Sequence, residues 1–162
     1  MPDPFAILGL PRSFELSSQA IENAYLARSA LCHPDLMGDE NEASQRSAEL
    51  NDAKAILVHP ESRANALLAA IGGPAKEADR TLPDGFLMQI LETREEIESQ
   101  IATRSANELN FWKEWAARER EAYTAKIAAL FRQTPLPDLE IRKQLNAWRY
   151  IERLVEQLGD SL

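Results

Sequence analysis

The residues of this sequence with the greatest potential for chemistry are consecutive: Cys32, His33, Pro34 and Asp35. Cysteine and histidine are the residue types of a nucleophile and its base, but adjacent side chains seldom meet, and no third group would orient such a pair. We therefore do not expect a catalytic dyad. Pro34 fixes one backbone torsion at this point of the chain. In the simplest interpretation Pro34 ends a helix, His33 is solvated and Asp35 starts a turn.

The sequence offers no set of residues for metal or cofactor chemistry. Its two histidines and single cysteine lack the paired spacing of a zinc site, and one thiolate cannot furnish the ligand set of an iron-sulfur cluster. It also has no glycine-rich loop of the kind that cradles phosphate groups. We therefore predict no cofactor, no metal site and no enzymatic activity.

Charge and hydropathy argue against two further classes of protein. Acidic residues outnumber basic ones 26 to 18, and the formal net charge of -8 repels the phosphate backbone of nucleic acids. The longest uncharged apolar stretch, 64–75, is interrupted by polar residues and glycines and is shorter than the ~20 residues of a membrane-spanning helix. The N-terminus lacks the pattern of a secretory signal, and the lone cysteine permits no internal disulfide. We predict a cytoplasmic protein that binds neither nucleic acid nor membrane.

Apolar residues recur at spacings of three and four along nearly the whole chain, and no period-two pattern is found. The predicted fold class is therefore all-α. Before residue 74 the pattern predicts an apolar turn at 5–8, a helix from Ser17 or Ser18 to about Cys32 and a loop over 34–41. It then predicts a helix with Ala43, Leu50, Ala53 and Leu57 on one face, and a short helix over 61–71. The second part predicts three longer helices, at 84–103, 106–132 and 138–158.

A change in composition divides the chain. The segment 74–85 is rich in proline, glycine and charged residues, which is typical of a connection between modules. We predict an N-terminal domain over 1–73, a linker over 74–85 and a C-terminal domain over 86–162. The C-terminal helices can bury their apolar faces only against one another, as an antiparallel three-helix bundle. Core packing is the interpretation for its aromatic and aliphatic positions Leu109, Trp112, Trp115, Tyr123, Ile127 and Leu130.

The N-terminal pattern resembles a J domain. It has a short helix, Gly9-Leu10-Pro11, a capped helix with Ala24-Tyr25, the triplet His33-Pro34-Asp35 and then a helix of small residues, so the resemblance covers residues 1 to about 71. J domains dock on a DnaK-type chaperone and stimulate its ATP hydrolysis. The resemblance implies that Asp35 receives an arginine of the chaperone in a charge-assisted pair. It also implies that His33 and Pro34 belong to the same docking site, and we predict that Arg28, which stands where J domains often have an apolar core residue, belongs to it as well.

The C-terminal pattern resembles the HscB family of J-domain co-chaperones, which act in iron-sulfur cluster assembly. The resemblance lies in Phe86-Leu87-Met88, Leu91-Glu92, Arg94-Glu95-Glu96 and the later Trp148-Arg149-Tyr150-Ile151. It implies an L-shaped protein of two modules. It also implies a binding surface for an IscU-like cluster scaffold protein, formed by Leu87, Met88, Leu91, Glu92, Glu95 and Tyr150.

A helical wheel supports an exposed surface independently of this resemblance. Phe86, Ile90, Ile97 and Ile101 cluster in an arc wide enough for the core, whereas Leu87, Met88 and Leu91 extend progressively away from it. On the last helix Tyr150 falls far from the centre of the core side, and we predict that it is exposed as well. The alternative is an irregular bundle in which Leu87, Met88, Leu91 and Tyr150 are partly buried core.

The chain departs from the usual J domain around the triplet. Leu26, Ala27 and Leu31 stand where lysine and arginine are common, Cys32 replaces an aromatic residue and Leu36 replaces a lysine. We therefore expect the electrostatic part of docking to be weak. This pattern fits a dedicated chaperone with a less acidic, more apolar docking surface, or a surface under relaxed selection.

These patterns predict a co-chaperone that delivers an iron-sulfur scaffold protein to a DnaK/HscA-type chaperone and stimulates its ATPase. The alternative is an interaction protein that keeps the J fold, stimulates no chaperone and uses its bundle as a plain scaffold or dimerisation module. An Asp35→Asn variant separates the two, because only the co-chaperone requires that carboxylate.

Overall fold

The computed structural model of the protein describes residues 2–102 and 105–160. Over those ranges the backbone forms α-helices and no strand, so the predicted all-α class is confirmed. The helices are α1 (Pro4–Leu8), α2 (Ser18–Leu31), α3 (Pro34–Met37), α4 (Glu40–Val58), α5 (Pro60–Ala70), α6 (Phe86–Ile101), α7 (Ala106–Phe131) and α8 (Asp138–Asp160). The predicted helix end at Thr103 and the predicted domain ends at Met1 and Leu162 lie outside the described residues.

The chain divides into two compact units, the first ending at Gly72 and the second beginning at Gly73. In the first unit α2 and α4 form an antiparallel pair. The Tyr25 hydroxyl of α2 donates to Asn51 of α4 at 2.7 Å. About one turn earlier on α2, Glu22 pairs with Lys54, which lies about one turn later on α4. The four apolar residues predicted for one face of α4 are all buried. The core of this unit also contains Phe5, Leu8, Phe14, Ile21, Ala64, Leu67 and Leu68.

The predicted loop over 34–41 was wrong at both ends, since Pro34–Met37 is one turn of helix and α4 begins at Glu40. Proline is well suited to the first helical position, where its missing N–H costs no hydrogen bond. Gly38 ends the turn in the left-handed conformation, φ 72°, and its N–H donates to the Pro34 carbonyl at 2.9 Å. Asp39 then caps α4 by accepting hydrogen bonds from the backbone N–H groups of Asn41 and Glu42.

The second unit is built on α6, α7 and α8. Helices α7 and α8 are antiparallel, because Arg120 pairs with Glu152 while Lys126 pairs with Gln144. Its core contains Ile90, Ile97, Trp112, Ala116, Tyr123, Ile127, Ile141, Leu145, Ala147, Trp148, Ile151, Leu154 and Leu158. This unit holds the predicted three-helix bundle.

The segment 74–85, predicted as a linker, lies within the second unit. The side-chain amide of Asn146 on α8 donates to the carbonyls of Asp79 at 2.9 Å and Thr81 at 3.0 Å. These two hydrogen bonds hold the segment against α8.

None of the helices in the described ranges combines the length and the apolar character needed to cross a membrane.

Candidate functional sites

The triplet His33-Pro34-Asp35 lies at the start of α3. His33 is the N-cap residue, and its Nδ1 accepts a hydrogen bond from the backbone N–H of Asp35 at 3.3 Å. The Asp35 side chain is 90% exposed, and the His33 ring is exposed as well. The helical turn therefore presents the Asp35 carboxylate to solvent on a backbone that proline and the cap both restrict.

The same nitrogen of His33 lies 3.4 Å from Oδ2 of Asp35. Nδ1 cannot accept from an amide and donate to a carboxylate at once, because the first requires a lone pair and the second a proton. With the imidazole neutral, Nδ1 serves as the cap. The Asp35 carboxylate then keeps its acceptor capacity for an outside donor such as a guanidinium.

Cys32 lies directly before this site and ends α2, where its backbone N–H donates to the Ser29 carbonyl at 3.1 Å. Because Nδ1 of His33 is engaged by the Asp35 amide, it does not serve Cys32 as a base. Among the described residues, histidine, cysteine, aspartate and glutamate side chains form no group of three or more placed to hold a metal ion.

Arg28, the fourth residue predicted for chaperone docking, is exposed on α2 and lies against the end of α1. Gly9 there has φ 68°, and a Cβ atom at this position would collide with the Arg28 guanidinium. The absence of a side chain on Gly9 thus makes room for the arginine. A docking role for Arg28 stays a prediction.

The predicted exposed surface of α6 is present. Leu87, Met88 and Leu91 are 48%, 71% and 50% exposed, while Ile90 and Ile97, on the arc predicted for the core, are buried. We call Leu87, Met88 and Leu91 the α6 patch. Glu92 and Glu95 are exposed on the same helix. Apolar side chains that remain in water beside charged ones are typical of a surface that another protein covers.

Tyr150 differs from its prediction, because it is half-buried rather than exposed. Its ring meets the ring of Phe86 edge-on, with centroids 6.0 Å apart and planes at 73°, and the Arg153 guanidinium lies 5.8 Å from its centroid. Phe86 is itself only half-buried. The Phe86 contact brings Tyr150 beside the first turn of α6, which carries Leu87 and Met88.

The six positions of α7 predicted to pack in the core are buried to different degrees. Trp112, Tyr123 and Ile127 are buried, whereas Leu109, Trp115 and Leu130 are half-buried. Tyr123 stacks on Trp148, with centroids 5.7 Å apart. Burial, together with the nearby charge of Glu119, raises the pKa of Tyr123 to about 12.

Three exposed leucines near the triplet, Leu26, Leu31 and Leu36, are not among the predicted site residues. Their signal was present in the sequence, since Leu31 and Leu36 flank the triplet and Leu26 lies on the helix that leads to it.

Comparison with known proteins agrees with both units. Residues 3–66 match the DnaJ domain, and residues 82–159 match the domain described as the HSCB C-terminal oligomerisation domain. The co-chaperone protein HscB homolog of Mannheimia succiniciproducens is 30% identical, over 100% of this chain and 98% of its own. The homolog of Chromobacterium violaceum is also 30% identical, over 99% of this chain and 93% of its own.

Two solved structures share the fold. Chaperone HscB from Vibrio cholerae superposes with a TM-score of 0.77 at 26% identity, covering 98% of this chain and 96% of its own. Human co-chaperone protein HscB gives a TM-score of 0.78 at 23% identity, covering 98% of this chain and 81% of its own.

A DnaJ domain with its triplet at a helix start, followed by a separate helical unit, defines the class of J-domain co-chaperones. Within that class, the chain belongs to the HscB family.

Proposed function

We propose that this protein delivers an iron-sulfur cluster scaffold protein to a DnaK/HscA-type chaperone and stimulates ATP hydrolysis by that chaperone. The observation that carries the proposal is the coexistence, on one chain, of a solvent-presented Asp35 carboxylate and the α6 patch. The Asp35 carboxylate can pair with an arginine of the chaperone, and the α6 patch can bind an apolar surface of the scaffold.

The two sites lie in different compact units, Asp35 in the first and the α6 patch in the second. One protein can therefore hold both partners without competition for the same surface. Binding of the first partner raises the effective concentration of the second, so that cargo arrival and ATP turnover are coupled. The chemistry belongs to the chaperone, and this chain acts by binding alone.

On the scaffold side, we propose a surface formed by the α6 patch with Glu92, Glu95 and Tyr150. The patch supplies apolar area, and the two exposed carboxylates are suited to a basic rim on the scaffold. Tyr150 offers an amphipathic ring at the edge of the first α6 turn.

We further propose that the protein works in a reducing compartment such as the cytoplasm. Its single cysteine, Cys32, can form no internal disulfide and lies directly before the docking triplet.

The test is steady-state ATP hydrolysis by the DnaK-family chaperone from the same source, with and without its scaffold protein. We expect stimulation by this protein, further enhancement by the scaffold, and loss of all stimulation in Asp35→Asn. Asp39→Asn is the matched control, because it removes a carboxylate from the same region while asparagine still caps α4. Stimulation that survives Asp35→Asn, or none with the wild type, would overturn the proposal in favour of a non-stimulatory J-fold interaction protein.

A further inference from the structure

The outward face of α2 is uncharged along its whole length. Six residues at spacings of three and four share this face, and all of them are exposed: Gln19, Asn23, Leu26, Ala27, Ala30 and Leu31. The opposite side of the helix carries the buried Ile21. Leu26 and Leu31 lie at the two edges of this face and are 56% and 65% exposed, with the small residues Ala27 and Ala30 between them.

This face continues into the docking triplet. Leu31 is the last residue of α2, two positions before His33, and Leu36, 69% exposed, directly follows Asp35. We call Leu26, Ala27, Ala30, Leu31 and Leu36 the α2 strip. A partner that binds Asp35 must therefore lie close to Leu31 and Leu36, and exposed apolar side chains beside a binding residue are typical of an interface core.

Three basic residues of the first unit form ion pairs within that unit. Arg12 pairs with Asp3 at 2.8 Å, Arg46 pairs with Glu42 at 3.4 Å, and Lys54 pairs with Glu22 and lies 4.4 Å from the Tyr25 ring centroid. Each of these cations is thus held by a partner within its own unit.

The two remaining basic residues of this unit, Arg63 and Arg28, form no ion pair of this kind with an acidic residue on α2 or α4. Arg63 is buried and donates to the carbonyls of Phe14 at 2.8 Å and Leu57 at 2.7 Å, and Arg28 lies against Gly9. The unit carries ten acidic side chains against these five basic ones. An acidic surface on a partner would meet net repulsion and no positively charged helix face.

We propose that the α2 strip docks on an apolar, non-acidic surface of the chaperone, so that apolar burial and the Asp35 contact, rather than a basic helix face, carry recognition. This inference rests on the proposed co-chaperone function and names the chemistry of the chaperone surface beside its arginine. Charge and position argue for this partner, because the strip is neutral, the first unit has an excess of acidic side chains and the strip adjoins Asp35 in the sequence.

The first measurement is the concentration of this protein that half-maximally stimulates the chaperone, at about 0.05 M and about 0.5 M salt. Apolar docking predicts a change of less than about threefold, because only one charged contact is screened. Docking through many charges predicts a rise of tenfold or more, since charge-steered association weakens steeply with salt. A rise of that size would overturn the inference while leaving the co-chaperone function intact.

Variants provide the second measurement. We expect Leu26→Ser with Leu31→Ser to raise the half-maximal concentration about tenfold or more, whereas Val58→Ser, an exposed apolar residue at the end of α4, leaves it unchanged. Leu26→Lys with Leu31→Lys restores the charges of an ordinary J domain, and we expect it to bind its own chaperone more weakly than the wild type. A lysine variant that stimulates at lower concentration would contradict an apolar receptor surface.

Two controls separate the possible failures. Asp35→Asn must abolish stimulation in the same assay; if it does and the serine variant behaves as wild type, the inference fails and the function stands. If stimulation is absent or independent of Asp35, both fail. Sedimentation of the wild type and the serine variant tests whether the strip instead binds a second copy of this chain. A serine variant that loses a dimer formed by the wild type, but stimulates the chaperone equally well, would overturn the inference.

Discussion

The backbone N–H of Asp35 donates to Nδ1 of His33 at 3.3 Å, so the histidine of the docking triplet is the N-cap of the helical turn that carries the aspartate. The cap and Pro34 together restrict the backbone on which the carboxylate is presented. His33 is therefore expected to act on the chaperone through the position of Asp35.

This arrangement predicts different effects for two substitutions of His33. Loss of an N-cap costs about 1 kcal/mol, roughly a fivefold change in the population of the capped turn. We expect His33→Ala to raise the half-maximal concentration for ATPase stimulation about fivefold, and His33→Asn, which keeps a capping acceptor, to stay within about twofold of the wild type. An asparagine variant as weak as the alanine variant would show that the imidazole itself contacts the chaperone.

The α6 patch predicts a large loss of scaffold affinity on truncation. Interface residues at the centre of a patch cost more than about 1 kcal/mol each when truncated, so Leu87→Ala, Met88→Ala and Leu91→Ala together are expected to weaken binding roughly a hundredfold. Titration calorimetry with the scaffold protein measures this. Leu139→Ala is the control, because Leu139 is also exposed in the second unit but lies at the start of α8. Equal losses from both variants would mean that binding is not localised to the patch.

The Phe86–Tyr150 contact predicts a measurable coupling between the two rings. Edge-to-face aromatic pairs contribute about 0.5–1.5 kcal/mol beyond the area they bury. A double-mutant cycle with Phe86→Leu and Tyr150→Leu, followed by urea unfolding, should give a coupling in that range. Tyr150→Phe keeps the ring and should leave stability nearly unchanged. Strict additivity of the two leucine variants would mean that the contact contributes nothing to holding the first α6 turn.

The raised pKa of Tyr123 predicts that the protein loses stability at high pH. Its pKa is raised from 10.0 to about 12 by burial. As the pH rises, this phenol ionises in the unfolded chain before it ionises in the folded protein. Its ionisation therefore has no effect on the free energy of unfolding below about pH 10 and lowers it as the pH rises toward about 12. At about 1.4 kcal/mol per pKa unit, the wild type should lose about 2 to 3 kcal/mol more than Tyr123→Phe across that window. Urea unfolding followed by circular dichroism tests this, and equal losses in both proteins would contradict it.

Most helix boundaries and the exposure of the α6 patch could be predicted from sequence, because both depend on local periodicity. The wheel separates Ile90 and Ile97 from Leu87, Met88 and Leu91 without reference to any neighbour, and the structure agrees. Likewise, the caps and proline breaks around α2 and α5 are local signals.

What the sequence did not predict depends on contacts between distant residues or on single hydrogen bonds. The half-burial of Tyr150 depends on the position of Phe86, on another helix. The segment 74–85 has the composition of a linker, but the side chain of Asn146, on α8, binds its carbonyls. The turn α3 is too short for a periodic pattern and depends on the cap from His33 and on the left-handed Gly38.

In the proposed delivery one chain must hold both partners at once, and mixing two complementary variants tests this requirement most directly. Asp35→Asn keeps the α6 patch but loses the docking carboxylate, while the Leu87, Met88 and Leu91 to alanine variant keeps the carboxylate but loses the patch. In the ATPase assay with scaffold protein, we predict that an equimolar mixture gives no scaffold-dependent enhancement, although wild type at the concentration of either component does. A mixture that matches the wild type would contradict delivery by a single chain, because the two sites would then act equally well on separate molecules.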